Sequence, residues 1–428
     1  MSRRATAPRR AVLVACACAA GCGGASARGE APATRAPAAR AAAEAIAAPV
    51  EDPWADATAS PAPLAAATTA GDAELFALCG AGDAALTSVA RAIADRAVDL
   101  APAGARGPED GAARAAPAPA LDAASLEEAL RAAGEPHVAP RATILRGGGG
   151  RAPIAARLRA WSDASPSIGE RRCGVARARG ADGGEAVAAV AVDALADLAP
   201  LATRAHAGTW LTVDARLLTP ADGARVVVAG PDGAPRSVPS RVDGGRVVAR
   251  FAPDRPGAFV VQVVADVAGG PRPVLEARVF ADVEPSRAPA RAPGEDAAAP
   301  SARPDDALAA MVASVRDAAR LPPLERDPRL DALALAHATA MRAARSVAHD
   351  AGDGDPARRV ESANISAGVV GENVAHAATA ALAHRALYAS PSHRANLLRP
   401  AFRRVGVAAL ADRDGSVWAA EIFTGDPR

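Results

Sequence analysis

SPSHRANLL, residues 390–398, puts three hydrogen-bonding chemistries into two helical turns of a chain otherwise rich in Ala, Arg, Gly and Pro. Ser390 followed by Pro391 has the pattern of an N-cap followed by the favoured first-turn residue, so the run predicts a helix with His393 on its first turn. The partial positive charge at a helix start favours neutral imidazole, the form that ligates metals and accepts protons. This turn is therefore expected to form one wall of a polar cavity. Ser390 suits the cap better than a nucleophile, and Arg394 and Asn396 equally suit satisfying backbone groups and acidic neighbours.

The same reading extends upstream and downstream. From Asp306, the residues Leu308, Met311, Val312 and Val315 form one helical stripe, stopped by Pro322 and Pro323. Asp327 as N-cap and Pro328 open a second helix, with Leu330, Leu333, Ala334, His337 and Met341 on one face. On that face His337 reads as packing. GENVA, residues 371–375, follows a loop-rich stretch that holds His349. If Glu372 opens a helix after Gly371, two helix termini present side chains to one pocket, with His349 arriving from the preceding loop. His376 and His384 flank a helix and are expected to be solvated. Two strand-like runs, 405–407 and 417–423, are joined by a turn at Asp414 and Gly415. The order helix, helix, loop-rich stretch, helix, helix, hairpin predicts an α+β layering.

VRDAARLPPLERDPRLDALALAHATAM (315–341), GENVA, SPSHRANLL and RRVGVAAL (403–410) occur in the order seen in bacterial SCP-like domains of the CAP superfamily. That superfamily also contains cysteine-rich secretory proteins, antigen 5 and pathogenesis-related proteins, and residues 304–428 resemble such a domain. The resemblance implies an α-β-α sandwich with a cleft lined by two His and acidic residues. His349 matches the first cavity His, Glu372 the Glu of the GEN motif and His393 the second His. Ser390 stands where many eukaryotic members carry a second Glu. Asn373, Arg394 and Asn396 are supporting residues. Leu387 occupies a position where bacterial relatives often place Trp, which thins one wall of the cleft. Two His and one carboxylate with an open fourth position form the ligand set of a catalytic zinc site, so Zn is the candidate cofactor, on His349 and His393.

The remainder of the chain supplies context. Its 428 residues exceed one compact core. Half are hydrophobic but only 3% aromatic, and much of the apolar content is Ala. A net charge of +1 gives no basic field for nucleic acid. Residues 1–22 read as a signal peptide, with four Arg before an apolar run that ends at Cys22. That ending resembles a bacterial lipobox, which implies a lipid anchor on Cys22 as the membrane attachment and a place in the bacterial cell envelope. Ordinary cleavage after residues 25–27, giving a secreted protein, is the alternative. Cys79 and Cys173 remain as an even pair, suggesting a disulfide, with two free thiols as the alternative.

Residues 23–70 have the composition of an extended, disordered linker, and 285–303 of a second one. Between residues 206 and 284 lie five period-two runs with Gly- and Pro-rich turns between them, which predict a central antiparallel β-sandwich. The segment resembles an immunoglobulin-like (Ig-like) module. Residues 71–200 begin with two helical patterns, 84–98 and 125–133. They repeat the Ser-Pro-Ser run at 165–167 and the Arg-Arg run at 171–172, and Gly134-Glu135 is a candidate answer to Gly371-Glu372. The segment is expected to be a degenerate SCP-like copy, without the seven residues that would hold an equivalent of His393. Three functions follow: binding of a small ligand, metal or surface component in the His/Glu cleft; metal- or His/Glu-dependent hydrolysis in the envelope; and a non-catalytic structural or adhesion role.

Overall fold

Strand chemistry dominates the centre of the chain, and its turns are set by glycine. The computed structural model describes residues 50–53, 79, 82–99, 123–146, 151–164, 167–180, 184–268, 270–285, 291–297, 303–413 and 415–427. The expected signal peptide, Cys22 and most of the 23–70 linker lie outside the described residues. Val50–Pro53 (β1) is an exception, because it pairs antiparallel with Ala202–Ala205 (β6) at a sheet edge.

Two sheets face each other in the middle of the chain. One has the order β1-β6-β13-β12-β8-β9, with β8 at Ala224–Ala229, β9 at Arg236–Val238, β12 at Gly257–Val267 and β13 at Gly270–Ala281. The other has the order β10-β11-β7-β5, with β5 at Ala196–Leu198, β7 at Leu211–Leu217, β10 at Ser240–Asp243 and β11 at Arg246–Phe251. Their inner faces share one core that includes Val213, Val247, Phe251, Phe259, Val261 and Ala277. Burying each large member contributes about 1.5–3 kcal/mol. Gly244 and Gly245 both have positive φ and close the two-residue turn between β10 and β11, a conformation costly for residues with a Cβ. The outer face of β12 and β13 carries Gln262 and Glu276 as cross-strand partners.

The C-terminal segment is three-layered. Its sheet has the order β14-β16-β17-β15, from Glu325–Arg326, Phe402–Ala411, Val417–Gly425 and Val369–Ala377. In this article α4 is Pro304–Ala318, α5 Pro328–Ala344, α6 Pro356–Ser362, α7 Ala380–Ala389 and α8 Pro391–Leu397. Leu308, Met311 and Val315 of α4, with Ala383, Leu387 and Leu397 of α7 and α8, cover Val405, Val407 and Phe423 on one face. Leu330, Ala334 and Met341 of α5, with Val360 of α6, cover Ala408, Ala420 and Ile422 on the other. Strand β17 is buried along its whole length, as a strand covered on both faces must be. The loop-rich stretch expected before GENVA contains α6, and GENVA itself lies in β15.

Strands begin well before residue 206, where the period-two runs start in the sequence. After α1 (Ala84–Asp99) and α2 (Ala123–Ala132) come β2 (Arg141–Arg146), α3 (Arg151–Asp163), β3 (Glu170–Arg179) and β4 (Glu185–Ala194), with sheet order β2-β4-β3. The β3–β4 hairpin pairs Gly174 with Val190, and β2 places Ala142 opposite Val190. In the C-terminal sheet the β16–β17 hairpin pairs Gly406 with Ile422, and β15 places Glu372 opposite Ile422. A Cβ on Gly174 would collide with the backbone of Leu86 and Thr87, and one on Gly406 with that of Leu330 and Asp331. Asp83 N–H donates to Cys173 O at 3.1 Å just before α1, and Asp327 N–H to Val405 O at 3.0 Å just before α5. In this register Ala142, not Glu135, stands where Glu372 stands.

Cys79 and Cys173 are joined by a disulfide that ties the chain ahead of α1 to β3. The 285–303 segment is docked where it is described. Arg385 pairs with Glu295, and Pro293 O lies 3.1 Å from His384 Nε2.

Candidate functional site

Glu372 lies in a strand rather than at a helix start. Val369, Val370 and Val374 favour extended backbone, and Gly371 is required because a Cβ there would run into the Phe402 ring. Among the described residues strand β15 pairs only with β17, so Glu372 sits at the sheet edge, 4% exposed. His349 Nδ1 donates to Glu372 Oε1 at 2.8 Å, and Arg359 of α6 donates to Glu372 Oε2. Arg359 also donates to His349 O at 2.9 Å, so one guanidinium holds both the carboxylate and the loop that brings His349 to it.

Behind this pair stands His337 of α5. It is fully buried, with Nδ1 at 2.9 Å from Asp353 Oδ2, Nε2 at 2.9 Å from Ala348 O and Nε2 at 3.6 Å from Glu372 Oε1. Its burial agrees with the packing expected of a His four residues from Leu333 and Met341, but its hydrogen bonds were not expected. Its polar partners come from a loop that helical periodicity does not register.

Helix α8 supplies the opposite wall. Ser390 holds the N-cap position with extended backbone, but its hydroxyl caps no N–H. The hydroxyl lies instead 2.9 Å from His393 Nδ1. Burial pushes the His393 imidazole down to about 3, and the nearby His349 adds to that shift, so His393 is neutral at physiological pH. Asn373 donates to His393 O at 3.2 Å and to Glu421 Oε2 at 2.8 Å. Asn396 donates to Asn373 Oδ1 at 3.0 Å and to Glu372 O at 3.1 Å. These amides lock α8 to β15 and so fix where His393 stands. Glu421 is fully buried, which pushes its carboxyl up to about 7 against the lowering effect of Asn373, and its Oε1 has no hydrogen-bond partner among the described residues. Arg394 is used elsewhere. It donates to Tyr388 O at 2.7 Å, stacks over the Tyr388 ring and reaches Gly230 O at 3.3 Å.

The other expectations sort as follows. His384 is buried rather than solvated, and burial lowers its pKa. His376 stacks on Trp418 with ring centroids 4.0 Å apart, and Ser416 Oγ lies 2.8 Å from its Nε2. Leu387 is buried in the core between α4 and α7.

The donor set narrows the chemistry. His349 and His393 each have Nδ1 engaged, and neither Nε2 has a hydrogen-bond partner among the described residues. Both oxygens of Glu372 are taken, by His349 and Arg359, so the carboxylate stands behind His349 rather than beside it as a third ligand. Among the described residues, no group of three or more His, Cys, Asp or Glu side chains is placed to hold a metal ion. The residues present therefore do not fit the expected two-His-one-carboxylate set, and His349 and His393 are the two imidazoles left to hold an ion. For acyl chemistry, Ser390 lies beside His393, but no carboxylate holds the other ring nitrogen of His393 among the described residues.

The family model described as CAP, Cysteine-rich secretory protein family, matches residues 309–426, and that segment is a CAP domain. Several solved structures are similar to the chain. An outer surface protein of Borrelia burgdorferi is 23% identical over 29% of this chain and 92% of its own, with a TM-score of 0.27. An extracellular protein containing an SCP domain from Bacillus anthracis str. Ames is 14% identical over 54% and 86%, with a TM-score of 0.27. A cysteine-rich secretory protein from Staphylococcus aureus subsp. aureus Mu50 is 13% identical over 55% and 81%, with a TM-score of 0.25. No curated protein matches the chain. Among the described residues, no helix is long and apolar enough to cross a membrane.

Proposed function

We propose that this chain is an exported protein, lipid-anchored in the bacterial envelope through Cys22, whose CAP domain binds rather than cleaves. The occupant is an electron-pair acceptor held between His349 Nε2 and His393 Nε2, and a divalent transition-metal ion is its simplest form. One observation carries this reading: two imidazoles, near enough that His349 helps lower the pKa of His393, are each held through Nδ1, and neither Nε2 has a partner among the described residues. Glu372 supports His349 and Ser390 supports His393, the arrangement in which partners behind the ligands set their orientation. When bound, the ion would offer Lewis acidity at its open positions.

The other domains have supporting roles in this reading. The central sandwich is an Ig-like spacer. The 71–200 segment is a degenerate copy of the CAP domain, a reading supported by the shared strand order, the paired Gly174 and Gly406 approaches and the matching Asp83 and Asp327 contacts. Counted from those Asp residues, Ile93 replaces His337. In sheet register Ala142 replaces Glu372, and among the described residues α8 has no counterpart between α3 and β3. The Cys79–Cys173 disulfide suits an oxidising compartment.

Zinc titration of the full chain by calorimetry, with a His349→Ala, His393→Ala double variant beside it, tests the reading. Heat of binding that vanishes in the double variant is expected, and equal heats in the two proteins would remove the site. A hydrolase reading rests on the 2.9 Å Ser390–His393 contact, and turnover of esters or peptides that is lost in Ser390→Ala would favour it instead.

A further inference from the structure

Residues of the central sandwich reach across to α8. Gln262 on β12 is 1% exposed. Its Oε1 accepts from Ser392 N–H at 3.0 Å, and its Nε2 donates to Ser390 Oγ at 3.0 Å and to Glu276 Oε2 at 3.1 Å. A backbone N–H on one side and a carboxylate on the other leave the amide one orientation, so its N–H must face Ser390. Glu276 is in turn held by Arg131 of the N-terminal domain, at 3.5 Å. The sandwich also contacts both ends of the site, since Arg272 donates to Val347 O in the His349 loop and Gly230 O accepts from Arg394 of α8.

We propose that Gln262 is a positioning residue of the His393 site, so that the binding site is composite and one of its walls comes from outside the CAP domain. Gln262 fixes the Ser390 hydroxyl, and the hydroxyl fixes His393 Nδ1. One lone pair of Ser390 Oγ is occupied by Gln262, which restricts the directions left to the hydroxyl for its contact with His393 Nδ1 and so limits rotation of the ring. Fixing a ring through its second nitrogen raises its fitness as a ligand, and loss of such a partner typically costs 10–100-fold in metal affinity. The inference rests on the two-imidazole reading for its affinity readout, and on the hydrogen bonds alone for its effect on the ring.

The test is a double-mutant cycle in the full chain with Zn2+ as probe. Gln262→Met keeps the volume and removes the hydrogen bonds, and Ser390→Ala removes the intermediary. Each single variant is expected to bind zinc about 10–100-fold more weakly than wild type. The double variant is expected to bind no more weakly than the worse single, because the two residues act in series. Unchanged affinity in Gln262→Met, or a double-variant loss equal to the product of the single losses, would overturn the proposal. If Gln262→Met does not fold, Gln262→Glu takes its place, since it keeps the acceptor for Ser392 N–H and loses the donor to Ser390. If wild type binds no zinc, the two-imidazole reading fails and the ring itself is read. In that case the 15N resonances of His393 are expected to move equally in Gln262→Met and Ser390→Ala, and an unmoved ring in Gln262→Met would overturn the Gln262 assignment.

Discussion

Glu372 Oε1 accepts from His349 Nδ1 at 2.8 Å, while Arg359 occupies the other oxygen of the same carboxylate. Arg359 is 6% exposed, so Glu372→Ala would take from a buried guanidinium the closer of its two carboxylates and leave it Asp353 at 3.3 Å. Because Asp353 remains as a partner, the expected cost lies below the roughly 3–5 kcal/mol of a fully broken buried pair, read by urea unfolding. Zinc affinity should fall with it, and Arg359→Met with Glu372→Met should recover most of the lost stability without restoring zinc binding.

Two buried groups give opposing pH dependences. His393 has its pKa lowered from 6.5 to about 3, so its neutral form stabilises the fold fully above 6.5, and that contribution is lost as pH falls toward 3. Glu421 is raised from 4.5 to about 7, so its contribution is full below 4.5 and is lost as pH rises toward 7. Between 4.5 and 6.5 the two slopes cancel. Glu421→Gln should uncover a rise in stability with pH, and His393→Gln a fall, each about 1.4 kcal/mol per pH unit in that window. Parallel stability profiles for wild type and both variants would refute the assignment.

The helices and hairpins were legible where capping and spacing carried them: Asp327 with Pro328, the stripe from Leu308 to Val315, and Ser390 with Pro391. Glu372 was harder, because Gly followed by Glu suits a helix start as well as a strand. Its conformation is decided by the Phe402 ring beside Gly371, a contact made from 31 residues away along the chain. His384 was misread as solvated, and the polar partners of His337 went unread, for a related reason. Their partners, Asp353 and Pro293, lie in segments without periodicity. The SPSHRANLL run located the site, while Gln262 was invisible because it belongs to a strand whose alternation records only which face is turned inward.

Gly406 and Gly174 are predicted to be equally intolerant of a side chain. Gly406→Ala would press a methyl into the Leu330 backbone and Gly174→Ala into the Leu86 backbone, and backbone cannot yield as a flexible side chain does. Each should destabilise its own domain by at least the roughly 1–3 kcal/mol of ordinary overpacking. Hydrogen exchange resolved by segment would show whether the loss stays within 82–200 or within 303–427. A fully tolerated alanine at either site would argue against the shared packing.

Reduction of the Cys79–Cys173 disulfide, which closes a 94-residue separation, should lower the stability of the N-terminal domain by about 2–4 kcal/mol. Zinc affinity should be unchanged by it, because no site residue lies in that loop. Thermal melts and calorimetry under reducing and oxidising conditions check both halves of this expectation.

Anomalous diffraction from zinc-soaked crystals of the full chain tests the central claim most directly. The account predicts a peak about 2.0–2.1 Å from both His349 Nε2 and His393 Nε2, with Glu372 still bound to Arg359. A peak ligated by Glu372 itself, or none between the two rings, would contradict it.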